Sequence, residues 1–522
     1  MSAVEALGYF KTYFRALGTK TIVVEREYTD RDYLDDYAAY YVRCLNKYHS
    51  RCCRLHFFSG RFKRSDFMDV VYRRKPISAL GTYHGFAVVK PLPQTVIGRT
   101  CLKTYPGQGG RHYPVTREYT ANVMGLRLTV RSLAFQEQDR AAAACATSAL
   151  WSAFQATGTL FHHPIESPVD ITRSATAYFP GQRRVFPNNG LDVAQMAVAI
   201  KRVGLEPEIA PVETKAMMQA TTYAYLRAGI PPLMLATLFD ISDPRQPLLY
   251  GEESTGHAVA VTGYRIGSAQ CTPHPETGTL LRSSRINRLY VHDDQIGPFA
   301  RMTFESPALH LCHLGLPDVE FTMSSSWNGP RGKPGTVCFA PEILILPLYP
   351  KIRIGLDPIL EEVLSFDVIL QYIRGRAAGA GETQRLEWDV FLTTTNAVKS
   401  EWRNSAVLRQ RPRYLPGLLE NPLPRFVWSC TAAQGRSTVL QLIFDATDVE
   451  QGDYLSDLIV YHEPTVRSLE RVVRAGGLDK FGNILVRKVP GLKDTPRWLE
   501  WFRRQPTRLP VVRRACAKQG SS

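Results

Sequence analysis

Gln136-Glu137-Gln138-Asp139-Arg140-Ala141-Ala142-Ala143-Ala144-Cys145-Ala146-Thr147-Ser148-Ala149-Leu150-Trp151 is a helix-forming run with a cysteine inside it and glutamines upstream. A cysteine at the start of a helix faces backbone N–H groups that lack intrahelical partners and the positive end of the helix dipole. Both favour thiolate. The small residues around Cys145 let other elements approach the sulfur closely. A glutamine upstream can bring its side-chain NH2 to the same place, where it would bind a developing oxyanion. The competing reading is a core cysteine, because free cysteine is among the most buried residue types.

A histidine follows in Gly256-His257-Ala258-Val259-Ala260-Val261-Thr262-Gly263-Tyr264, which reads as a half-buried strand opened by glycine. Next comes Leu289-Tyr290-Val291-His292-Asp293-Asp294-Gln295-Ile296-Gly297-Pro298, a short strand ending in acids and a Gly-Pro turn. A histidine at the head of the first strand can reach the start of a neighbouring helix. An acid at the end of the second can accept Nδ1–H and leave Nε2 facing the thiol. The chain order is Gln, Cys, His, Asp.

That order and its spacing resemble papain-like cysteine peptidases, most closely the bacteriocin-processing branch. Cys145 to Leu150 fit the Cys-to-Ala-Leu part of the family's nucleophile helix. A helix bounded by Gly-Leu at each end matches Gly190-Leu191 to Gly204-Leu205, and Gly229-Ile230-Pro231 leads into a strand as the family's Gly-x-Pro does. Gly256-His257 then opens a strand, and Asp293 closes the following one, with Asp294 as its alternate. The chain departs from the pattern at Ala144 and Ala146, where the family has Asp and Gly. Gln138 stands seven residues before the cysteine rather than six, and Gln136 nine before it. Gln138 is the favoured oxyanion donor and Gln136 its alternate.

The resemblance implies an α+β fold, with a nucleophile helix packed on an antiparallel sheet over residues 131–305. It implies a bacterial, cytoplasmic thiol protease that cleaves a peptide or isopeptide bond through Cys145, His257 and Asp293 and a thioester, with neither cofactor nor metal. Two alternatives stay open on the same residues. One is a deamidase or transglutaminase of the same fold. The other is a catalytically silent papain-like scaffold that binds nucleic acid or an acidic protein.

Composition frames the rest. The chain has 522 residues, enough for several domains, with 44% hydrophobic and 21% charged residues, as in ordinary globular proteins. Its net charge of +16 comes from 64 Lys and Arg against 48 Asp and Glu. Arginine-rich stretches at 403–413 and 497–514 read as solvated faces, with nucleic-acid binding the lesser expectation. The expected partners are a protein or peptide substrate and a regulatory protein engaging the C-terminal region. No apolar run approaches a membrane span, and residues 1–11 carry no basic n-region and long apolar run, so neither membrane insertion nor a secretory signal is expected. The ten cysteines are scattered, which suits a reducing compartment.

Three domains are expected: an N-terminal α+β unit over 1–130, the catalytic region over 131–305, and a C-terminal α+β unit over 306–522. In the first, strands are expected at 21–25, 51–58, 85–92 and 96–105. Asp30 is expected to cap a helix running to about residue 48, with Tyr33, Tyr37 and Tyr41 as core. His49, Cys52, Cys53 and His56 have the residue types of a metal site but not its spacing, because alternation along a strand separates them. His162-His163 and Cys312-His313 read as structural. An insertion over 267–285 reads as an extended hairpin loop bordering the cleft. Further on, a linker is expected at 324–335, a buried strand at 342–348 and a helix at 358–373. A loop at 375–382, a hairpin around 433–436 and a disordered tail from about residue 510 are expected to follow.

Overall fold

The structure, a computed structural model, describes residues 3–93, 95–107, 109–139, 144–177, 190–243, 245–250, 256–305, 308–326, 336–378, 385–411, 414–449, 454–462, 468, 496 and 498–499. The fold is mixed α+β, in two compact units: residues 1–267 with 286–350, and residues 268–285 with 351–522. Among the described residues, no helix is long and apolar enough to cross a membrane.

The first unit opens with α1 (Ala3–Leu17), β1 (Thr21–Tyr28), α2 (Arg31–Ala39), β2 (Cys52–Phe58), α3 (Arg64–Val71), β3 (Tyr83–Val89) and β4 (Ile97–Leu102). The four strands form an antiparallel sheet in sequence order. Asp30 caps α2 as expected, accepting from Tyr33 N at 3.1 Å. The helix nevertheless stops at Ala39, and a 3-10 turn follows over Tyr41–Arg43. Its inward side buries Asp32, Tyr33 and Asp36, so polar anchoring outweighs the tyrosine spacing that argued for a longer helix. Asp32 binds Arg99 Nη2 at 2.6 Å, and Asp36 Oδ1 accepts from Val169 N at 3.2 Å.

Next come β5 (Arg111–His112), the hairpin β6 (Arg117–Val123) and β7 (Leu126–Ser132), and then α4 (Cys145–Phe161), α5 (Pro168–Ala175) and α6 (Val193–Arg202). After them come β8 (Glu206–Pro211), α7 (Lys215–Arg227), β9 (Leu233–Asp240), β10 (Leu248–Leu249) and β11 (Gly256–Ile266). The chain crosses to the second unit for β12 (Leu280–Leu281) and returns for β13 (Ile286–Asp293), β14 (Gly297–Glu305), β15 (Thr322–Ser324) and β16 (Val337–Leu348).

These last strands build a barrel. β9, β11, β13, β14, β15 and β16 pair in that order, and β16 pairs back onto β9, which closes the ring. Closure leaves no free edge among the six. Val259, Val261, Leu289, Val291, Met302, Phe339 and Leu344 share one buried cluster. α4 lies on β9, β11 and β13, and every residue from Ala146 to Thr157 is buried. Because of that cover, β11 is buried from His257 to Tyr264 rather than half-buried as its sequence suggests.

Two expected boundaries move. The division at 305/306 falls inside the first unit, because β15 and β16 complete the barrel. The division at 130/131 falls inside it as well, since residues 1–130 and the barrel share one unit. The insertion expected as a loop beside the cleft belongs to the second unit, where β12 pairs in parallel with the strand that begins at Glu387.

That second unit holds α8 (Leu356–Ala378), β17 (Glu387–Thr394), α9 (Thr395–Asn404), α10 (Ala406–Arg409), α11 (Leu415–Glu420), β18 (Phe426–Gln434), β19 (Ser437–Asp445) and β20 (Leu455–Val460). Its sheet runs β12-β17-β18-β19-β20. Buried side-chain bonds tie it to α8, where Trp388 Nε1 donates to Asp367 Oδ1 at 2.8 Å. The hairpin expected around 433–436 is β18–β19. The expected loop at 375–382 begins inside α8 and lies outside the described residues from 379. Positions 327–335 of the expected linker lie outside them too, as do the expected tail and most of 497–514.

Candidate active site

α4 begins at Cys145, with Ala144 as its N-cap in extended backbone (φ −79°, ψ 176°). Alanine offers no side-chain oxygen, so the first-turn N–H groups receive no cap from that position. The cysteine itself is half-buried. β11 passes beneath the helix and carries His257 as its second residue, opposite Ala236 on β9. Asp293 is the last residue of β13, paired with Gly297 at the head of β14. Three distant stretches thus meet, because β11 and β13 are neighbours and α4 lies across both.

His257 Nε2 donates to Asp293 Oδ1 at 3.2 Å, and the imidazole also hydrogen-bonds Cys145. With Nε2 turned to the acid, the nitrogen left for the thiol is Nδ1. This reverses the arrangement expected from the sequence, which had the acid on Nδ1 and the thiol on Nε2. Entering at the start of β11, the ring presents its outer nitrogen to the end of β13. Asp293 Oδ1 also accepts from Gln295 N at 3.1 Å, so the following turn fixes the carboxylate. Phe339 of β16 packs on the imidazole with ring centroids 6.0 Å apart.

The electrostatics follow from burial and charge. Burial works against a charged His257. The Asp293 carboxylate, its hydrogen bond, the Cys145 bond and Asp294 outweigh it, holding the imidazole well above its usual value. Asp294 is pushed up to about 7, chiefly by burial, which Asp293 reinforces and His257 opposes. His292 points elsewhere. It packs edge-on against Phe135 and Phe299, and burial pushes it down to about 3, so it stays neutral.

The two glutamines differ. Gln136 is buried, and its Nε2 finds no hydrogen-bond partner among the described residues, whereas Gln138 is half-buried. Between them, Glu137 takes Ile97 N at 2.9 Å on its side chain and lies close enough to Asp294 to raise it.

Other chemistry-bearing residues have structural roles. Cys52 and His56 share a strand face with Arg54 between them. His56 Nδ1 bonds Tyr83 Oη at 2.9 Å, and its Nε2 bonds Glu25 Oε2 at 3.3 Å. His163 bonds Thr157 and the Pro164 carbonyl, and His313 Nε2 donates to Pro247 O. Burial pushes the Cys52 and Cys101 thiols up to about 12 and Cys338 to about 11. Among the described residues, the one group of three side chains able to share a metal ion is His257, Asp293 and Asp294.

Three further supports leave little trace in the sequence. Gln295 acts through its backbone. Phe339 arrives through the β9–β16 pairing, which no local pattern announces. Tyr9 of α1 donates to Pro298 O at 2.6 Å, and its ring covers Gly297, where a Cβ would lie 2.5 Å from it. The Gly-Pro turn after two acids was the available signal for that last contact. Comparison with protein-family models and with curated proteins finds no match for this chain.

Proposed function

We propose that the chain is a cysteine peptidase or isopeptidase with a papain-like core, working in the cytoplasm, where its thiol stays reduced. The observation that carries this reading is the linked trio: Cys145 at the open first turn of α4, hydrogen-bonded to His257, whose Nε2 is held 3.2 Å from Asp293 Oδ1. In the proposed reaction, His257 Nδ1 takes the thiol proton and Cys145 Sγ attacks the amide carbonyl. The backbone N–H of Cys145 and an upstream glutamine amide bind the oxyanion, at about 3 kcal/mol per donor. Gln136 is now favoured over Gln138, because it carries the buried, unused donor. His257 then gives its proton to the leaving amine, and water attacks the thioester with His257 again as base. Asp293 holds the imidazole throughout. A substrate profile separates this from amide chemistry on side chains. Incubated with a proteome-derived peptide library, the wild type generates new N-termini and Cys145→Ala does not. Conversion of glutamine to glutamate without chain cleavage would assign a deamidase. A library left unchanged by the wild type, with Cys145 unreactive, would assign a silent scaffold.

A further inference from the structure

The proposed triad uses one carboxylate, yet two are buried beside the imidazole. Neither oxygen of Asp294 accepts a hydrogen bond from another described residue. A buried carboxylate in that state is costly unless it is neutralised, paired or bound to a cation. Asp294 Oδ1 lies 3.6 Å from His257 Nε2, and Asp293 Oδ1 lies 3.2 Å from the same nitrogen. One ring nitrogen carries at most one proton, so it cannot fully serve both acids.

The spacing suits something larger than a proton. One ligand atom from each of His257, Asp293 and Asp294 lies within 4.8 Å of the others. Zinc holds nitrogen and oxygen ligands at roughly 2.0–2.1 Å in a tetrahedron, which sets neighbouring ligands about 3.3 Å apart. Two of the three separations already fall near that value. A dication with two carboxylates and a neutral imidazole carries no net charge, which suits a buried position.

We infer that His257 Nε2, Asp293 and Asp294 form a zinc site in which the metal replaces the Nε2 proton and switches the thiol off. An imidazole that gives its Nε2 lone pair to a metal holds its one proton on Nδ1. It then has no lone pair there to accept the proton of Cys145, and the thiol must lose that proton to water instead. The Zn–Nε2 bond forms as the Nε2–H bond breaks: an imidazolium releases that proton to solvent, whereas a neutral imidazole keeps its proton count by taking one up at Nδ1, and any proton on Asp294 goes to solvent. The switching consequence rests on the proposed role of His257 as base; the site itself does not.

The test uses the full chain and zinc chloride. Calorimetry should find a single zinc per chain in the wild type and in Cys145→Ser. Affinity should fall about tenfold or more in Asp294→Asn. In parallel, zinc should slow iodoacetamide labelling of Cys145 about tenfold near neutral pH, and a chelator should restore it. The ratio of rates with and without zinc should approach one in Asp294→Asn, whatever that variant's own rate. Zinc binding that survives Asp294→Asn but disappears in Cys145→Ser would place the metal on the thiol and overturn the inference, as would the absence of any binding heat. If Cys145 proves inert even without metal, the peptidase reading fails while calorimetry still decides the site.

Discussion

Asp293 Oδ1 holds His257 Nε2 at 3.2 Å from the end of the adjacent strand, and the same oxygen takes Gln295 N–H at 3.1 Å. The acid therefore acts on the imidazole in two separable ways. As an acceptor it fixes which nitrogen faces Cys145, and as a charge it favours imidazolium.

Asparagine in place of Asp293 keeps an acceptor and removes the charge, whereas alanine removes both. Asp293→Ala should lower kcat/KM by about 100-fold or more, the scale of positioned acid–base catalysis. Asp293→Asn should lose less at its own optimum, and the alkaline limb of its pH profile should move to lower pH, because the charge that raises His257 is gone. Equal profiles for the two variants would remove the charge from the account.

Both titrating partners make stability fall as pH rises, over different windows. His257 is raised in the folded state, so its pairing contributes stability that is complete below about pH 6.5 and fades as pH rises through the folded value. Asp294 is raised too, to about 7, so the folded state favours its neutral form and loses stability as pH climbs from about 4 to 7. Asp294→Asn should therefore melt higher than wild type at pH 7, and the difference should shrink towards pH 4. Thermal melts across that range decide it, and a difference independent of pH would contradict the assignment.

Gly297 supports the acid turn from below. It adopts φ 148°, and an added Cβ would press on the Tyr9 ring at 2.5 Å. Gly297→Ala should lower the melting temperature and slow labelling of Cys145 together. Tyr9→Phe keeps the ring and loses the hydrogen bond to Pro298 O, at a cost of about 1 kcal/mol. Denaturant unfolding of both variants gives the comparison.

Ala144 is a second place where stability and activity should part. A serine there would cap the first turn of α4 and stabilise the protein by about 1 kcal/mol. It would also occupy a first-turn N–H group that the proposed chemistry leaves open, so Ala144→Ser should melt higher and turn over more slowly. A variant that gains both would show that those N–H groups do not serve the reaction.

Much of the site was legible because it is written in local signals. The helix start at Cys145, the glycine before His257 and the acids before Gly297-Pro298 all lie at element ends, where the structure has them. What was not legible depends on long-range pairing. Closure of β16 onto β9 moved the domain boundary and supplied Phe339, and β12 joined a strand about a hundred residues downstream. Neither leaves a periodic trace near the residues concerned. The nitrogen presented to Asp293 depends on how one ring enters the site, which spacing alone does not determine. The early end of α2 is similar, since the partners of Asp32 and Asp36 come from distant segments.

The most direct measurement is the pH dependence of iodoacetamide labelling at each cysteine, read by mass spectrometry in wild type and in His257→Ala. The account predicts that Cys145 labels fastest, while Cys52 and Cys338, whose thiols burial pushes up, lag. It also predicts that removing His257 slows Cys145 alone. A Cys145 that labels no faster than Cys52, with or without His257, would contradict it.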